Sequence, residues 1–335
     1  MGNLKIDKPF KSYDEQLDIL ESRGLFVPDR AMAIHALNTY SYYDIVNGNL
    51  DQLLLRRHPD FFKSEVSFND LIQIRFLEDE LKALFLQQIL NIEKFFKTKL
   101  SYYVAKNFGV DSNPGGYLDL SNYSSSNRSI SHKTIRTLKE IRDHKNPKKP
   151  EGKPIAHYRS DHQFIPPWIL IEELSLGETL YWFKSLKGQG KTEISQQILS
   201  IKNIESTDKS LDVFQQSIDI IRSFRNFFAH NSVLSHMRSK RLLNLSQIDF
   251  IDNSDQLINQ SEIANSINRH NLFACFICIL LLSTDTDQLS VFVSSLENIF
   301  KIPTHLEIIQ PIFHLPSTSV HRAKQFVNYY RKDWD

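Results

Sequence analysis

The stretch "RSFRNFFAHN", residues 222–231, sets Arg225, Asn226 and His230 among phenylalanines. These side chains suit chemistry on a phosphodiester. Imidazole, with an ordinary pKa of about 6.5, can take or give a proton near neutral pH. Guanidinium is a permanently charged fork that matches phosphate oxygens. RNA carries its own nucleophile, the 2′-hydroxyl, so such a set could cut it. The same residues also fit a buried polar network or a loosely solvated helix end, and on their own they leave all three readings open.

The helix that must position them is legible in its apolar residues. Leu211, Phe214, Ile218, Ile221 and Phe228 recur at steps of three and four, and that stripe calls for an apolar residue where Arg225 stands. A cation there must be paired or face a cleft, because an unpaired buried charge is costly. Asn226 and His230, four apart, share a different face. On an ideal helix Arg225 and His230 lie about 140° apart, at about 100° per residue. They meet only if the arginine wraps, the helix distorts, or a second subunit supplies the partner. Glu93, in "NIEKFF", reads as a structural polar residue that could orient Arg225.

Composition limits the setting. The 335 residues carry 40 Lys and Arg against 39 Asp and Glu, a formal net charge of +1, so any nucleic-acid site must be a local patch. Ten glycines against 23 phenylalanines favour long helices over tight turns. The first ten residues lack the apolar core of a secretory signal, and Ile6 stands where myristoylation wants Ser or Thr. The longest apolar run, 272–282, is too short for a membrane span of about 20 residues. Cys275 and Cys278 both fall inside it and read as core, and the expected compartment is a reducing cytoplasm.

Along the chain, "SYDEQLDILESRGLFV" (12–27) predicts a short helix ended by Gly24, and a second helix ends at Gly48. Residues 67–108 form the longest helical signal, opened by Ser67 with Asp70 and closed at Gly109. A Ser/Asn-rich loop over 121–132 precedes a short amphipathic helix. The Pro- and Lys-rich stretch "KNPKKPEGKPIAHYRSDHQF" reads as irregular. "PPWILIEELSLGETLYWFKSL" reads as one restarted helix, followed by helices near 191–202, 208–235, 261–283, 286–300 and 318–330. Strand alternation is nearly lacking, so the fold class is all-α.

Several blocks, in order, carry a resemblance. "KPFKSYDEQLDILESRGLFV", "LNTYSYY", the long helix from "FNDLIQIRF" to "VAKNFG", "FIPPWILIEELSLGETLYWFKSL" and "RSFRNFFAHNSVL" resemble the Abi-like abortive-infection proteins of the AbiD/AbiF type. Their signature belongs to the R-x4-6-H motif of HEPN-domain ribonucleases. The resemblance spans most of residues 8–236. It implies a HEPN-type helical bundle over 66–300 with a basic loop insertion at 121–165, an N-terminal helical extension (1–65) and a helical tail (301–335). It further implies a metal-independent endoribonuclease toxin of an anti-phage system. Arg225, Asn226 and His230 would be catalytic, in a composite site formed by two motifs across a homodimer. The products would be 2′,3′-cyclic phosphate and 5′-hydroxyl ends, with no cofactor. A small structured RNA or another antitoxin, protein or covalent, would restrain it. The alternative is a non-catalytic module that captures structured RNA. Where family members continue with a second His, Ser, Arg and an aromatic, this chain has Asn231, Ser232, Val233 and Leu234.

Basic residues suggest where RNA would lie. Residues 132–159 hold nine Lys/Arg against three acids, a local net of +6, and Lys145, Lys148, Lys149, Lys153 and Arg159 are its candidate RNA contacts. Arg222, Arg238, Lys240 and Arg241 form a second set beside the motif. Two other signals carry little. "GQGKT" (188–192) has Ser185 where a P-loop needs its first glycine, and His157 with His162 lacks the ligands to complete a metal site.

Overall fold

The computed structural model describes residues 9–48, 50–145, 151–199, 208–230, 233–248, 257–264 and 269–331. It is all-α apart from one short hairpin. The helices are α1 (Tyr13–Ser22), α2 (Arg30–Tyr42), α3 (Leu50–Leu53), α4 (Phe68–Phe108) and α5 (Arg128–Arg142). Next come α6 (Lys153–Asp161), α7 (Pro167–Leu170), α8 (Leu176–Ser185), α9 (Gly188–Leu199) and α10 (Asp208–Ala229). The last five are α11 (Gln260–Ala264), α12 (Leu272–Leu282), α13 (Thr286–Phe300), α14 (Pro303–Ile308) and α15 (Ser317–Arg331). Strands β1 (Leu54–Arg56) and β2 (Phe61–Phe62) pair antiparallel.

The 41-residue α4 is the spine, roughly 60 Å long at about 1.5 Å per residue. Ser67 N–H donates to Asp70 Oδ2 at 2.7 Å to start it, and Gly109, at φ +81°, ends it. Against it pack α7, α8, α9, α10, α12 and α13. Helix α12 is buried on every face, as its unbroken apolar sequence demands, and lies against both α4 and α10. Burial holds the Cys275 thiol well above its ordinary value and pushes Cys278 up to about 12, which fits core packing. The N-terminal elements build their own apolar cluster around Leu17, Leu20, Leu37 and Phe62, joined to α4 through Phe68 and Leu71. At the other end α15 packs along α13.

Several sequence expectations need correction. The stretch read as irregular contains α6, because Pro154 stands in a helix's first turn after Gly152 and so starts the helix instead of breaking it. The loop read over 121–132 gives way to α5 already at Arg128. The single helix read over 166–186 is broken at Leu174. There the carbonyl accepts from Lys97 Nζ at 2.6 Å, and Ser175 caps a new helix through a reciprocal bond with Glu178. The helix read over 208–235 stops at Ala229. Beyond it the Leu234 N–H donates to the Glu78 side chain, at Oε1, at 2.5 Å. The segment read as 261–283 is two helices, the second capped by Asn271.

Candidate active site

Helix α10 buries Phe214, Ile218, Ile221, Phe224 and Phe228 against the core, so its register is fixed. That register sets Arg225 at the edge of the apolar stripe with its side chain 34% exposed. Its Nε donates to Glu93 Oε2 at 3.2 Å. Glu93 is buried in α4, and its other oxygen, Oε1, lies 3.4 Å from Lys97 Nζ. Lys97 in turn caps the Leu174 carbonyl, so one chain of contacts ties α4, α10 and the break between α7 and α8. Among the described residues no hydrogen bond or ion pair occupies the two terminal nitrogens of Arg225.

Asn226 and His230 are exposed, and His230 lies just past the end of α10 with its N–H donating to the Phe227 carbonyl at 3.1 Å. No bond among the described residues joins its ring to Arg225, in keeping with their angular separation on the helix.

The segment after the motif is held from two sides. Glu78, buried in α4 and ion-paired with Lys82 at 2.7 Å, accepts from Leu234 N–H. Ser235 Oγ donates to the Gly48 carbonyl at 3.0 Å. Two carboxylates of one helix, each with a lysine four residues on, thus grip both flanks of His230. Lys82, Lys97 and Glu78 were not singled out in the sequence. Their signal was there as Glu–Lys pairs at helical spacing inside an apolar helix.

The remaining candidates separate into groups. Arg222 Nη2 lies 3.9 Å from Asp219, its buried Nε has no partner among the described residues, and its stem passes Gly177 of α8. Arg238 donates to the carbonyls of Ser235 and Met237, Lys240 is exposed, and Arg241 reaches Asp212 at 3.4 Å. Ser239 Oγ meets Ser223 Oγ at 3.4 Å, which sets this group beside α10. Two histidines absent from the sequence reading, His270 and His314, are held below their ordinary values by burial and then by Arg238.

The basic loop is different. Lys145 lies 3.7 Å from Asp143, and Lys153 is exposed at the start of α6. Arg159 is committed to Glu151 and to carbonyls at the end of α5, so it serves as a brace between α5 and α6. Lys148 and Lys149 lie outside the described residues. Among the described residues no hydrogen bond or ion pair joins this loop to Arg225, Asn226 or His230.

A family model described as "Abi-like protein" matches residues 35–236, well over half of the chain, from α2 through the segment that follows His230. The chain belongs to the Abi-like protein family. Its description ties the chain to abortive infection. No curated protein and no solved structure matches it. The matched region contains Glu78, Glu93, Arg225 and His230, so both grips lie inside the family's shared part. Among the described residues no helix is long and apolar enough to cross a membrane, and no group of three or more His, Cys, Asp or Glu side chains could hold a metal.

Proposed function

We propose that the protein is a metal-independent endoribonuclease of abortive-infection defence, acting as a toxin in the cytoplasm on RNA through Arg225, Asn226 and His230. The observation that carries this reading is the half-held guanidinium. Arg225 is anchored at Nε by a buried carboxylate and keeps its terminal fork open at the surface. An anchored guanidinium with an open fork is placed to donate to phosphate oxygens in the forked geometry that suits them.

In this reading the Arg225 fork binds the non-bridging oxygens of the scissile phosphate and stabilises the charge that builds on them. His230 exchanges the protons, taking one from the 2′-hydroxyl or giving one to the leaving 5′-oxygen. The attacking 2′-oxygen bonds to phosphorus as the bond to the 5′-oxygen breaks. That leaves 2′,3′-cyclic phosphate and 5′-hydroxyl ends. Asn226 holds a phosphate oxygen or orients the imidazole. No cofactor enters.

The site is composite, with Arg225 of one subunit and His230 of another facing one phosphate. The separation of about 140° supports this. Arg222, Arg238, Lys240 and Arg241 extend the site along the RNA backbone, and the basic loop with Lys145, Lys148, Lys149 and Lys153 adds sequence-independent attraction. A small structured RNA, as an antitoxin, would occupy the same cations.

The deciding experiment incubates nucleic-acid-free protein with end-labelled RNA in EDTA, wild type beside His230→Ala. Cyclic-phosphate ends produced by the wild type and lost in the variant support the reading. Tight binding without cleavage by either protein would sink it in favour of a module that only captures structured RNA.

A further inference from the structure

A second cleft lies in the N-terminal part of the chain, where the start of α1, the end of α2 and the side of α4 converge. Its volume is about 690 Å3, inside the range of small-molecule sites, roughly 300–1,000 Å3. Tyr13, Tyr40 and Tyr42 line it, with Gln16, Asn38 and Arg75 between them.

Tyr40 is held in place before any ligand arrives. The Arg75 guanidinium lies 6.0 Å from its ring centre, and Phe76 meets it edge-on at 5.8 Å. Arg75 is itself fixed, buried and bonded to Asp79 at 2.5 Å. The cleft therefore presents a preset aromatic plane rather than a loose side chain.

Two amides line the same cleft. Gln16 Nε2 donates to the Lys11 carbonyl at 2.9 Å, while its Oε1 is buried with no partner among the described residues. Asn38 accepts from the Tyr13 hydroxyl through Oδ1 at 3.1 Å, which leaves its amino group for a ligand acceptor. Ser41, at the lip, has φ +64° and ψ 152°, a region that belongs almost wholly to glycine. Such strain persists where surrounding structure enforces it, typically beside binding sites.

We infer that this cleft binds a nucleobase, stacked on Tyr40 and read through the Asn38 amide. Stacking on aromatics, together with hydrogen bonds to the base edge, is how proteins hold an unstacked base. The base comes either from a free nucleotide or from single-stranded RNA. The inference goes beyond the cleavage reading and does not rest on it.

The test uses the full chain with two probes, photoreactive 8-azido-AMP and a short single-stranded oligonucleotide carrying one 4-thiouridine. Label is expected on peptides containing Tyr13, Tyr40 or Tyr42. Tyr40→Ala should weaken binding at least about fivefold, the lower end of a single stack, while Tyr40→Phe stays within about twofold of wild type. Tyr13→Ala, at the rim, supplies the same direction if Tyr40→Ala fails to fold. Labelling by the mononucleotide assigns a free nucleotide, and labelling by the oligonucleotide alone assigns an RNA base. His230→Ala should bind both probes as the wild type does, which separates this site from the cleavage motif. No label in the cleft, or unchanged binding in both alanine variants, overturns the inference.

Discussion

Glu93 holds Arg225 by its Nε alone, at 3.2 Å, and so aims a guanidinium without occupying its fork. The buried carboxylate also satisfies Lys97, so α4 carries a small charged assembly whose outer member faces solvent.

Arg225→Lys keeps the charge and loses the planar fork. On the proposed mechanism this lowers kcat by about 10²-fold, the lower end for losing one preset donor to a transition-state anion. Glu93→Gln should cost less, about tenfold, and act on kcat rather than on KM, since it frees Arg225 without removing it. Single-turnover cleavage with saturating protein reads both. Equal rates for Glu93→Gln and wild type would show that the pairing is structural only.

Glu78 serves stability. It is almost fully buried and satisfies both Lys82 and the Leu234 N–H. Glu78→Ala strands a buried ammonium and a backbone donor, so a loss of about 3–5 kcal/mol is expected in urea unfolding. A loss below about 1 kcal/mol would mean the segment after the motif is held elsewhere.

Acid should weaken the fold in two separate steps. His270 and His314 are held below their ordinary values, by burial first and Arg238 second. The unfolded chain therefore binds more protons than the folded one just below the ordinary value of about 6.5. Stability is complete above about pH 7 and falls as pH drops through the histidines' folded values. The double variant His270→Asn/His314→Asn should flatten that step in urea midpoints measured against pH. Asp143 and Glu297, held low by Arg142 and Lys324, account for a later loss below about pH 4. If the wild-type midpoint is flat from pH 7 to 5, the histidine assignment fails.

The two cysteines give a test of packing. Burial keeps both thiols protonated, Cys275 well above its ordinary value and Cys278 at about 12, so neither is nucleophilic in the folded chain. Iodoacetamide should add nothing to native protein at pH 8 and two adducts in denaturant, counted by mass spectrometry. Native labelling would place α12 nearer the surface than the structure does.

Much of this was legible in the sequence, for a physical reason. Residues 67–108 and the α10 stripe announce themselves because a helix buries every third or fourth residue, and Arg225 stands out as a violation of that rule. What the sequence hid were contacts between distant positions. Glu93 and Arg225 are 132 residues apart, and no local pattern says which carboxylate meets which cation. The course of the chain beyond Ala229 was hidden likewise, since the Leu234 N–H there is held by Glu78 of α4. Pro154 misled in the opposite sense, as a residue that breaks a helix interior yet suits a helix's first turn.

The carbonyl of Gly48 accepts from Ser235, and the Val233 methyls lie against Gly48 closely enough that an added Cβ would touch them at 3.0 Å. The N-terminal helices are therefore part of the seating of the residues that follow His230. A shortened chain begun at the spine helix would keep every motif residue and lose one wall of their socket. Excision there would yield a protein with the right letters and a loosened grip on them.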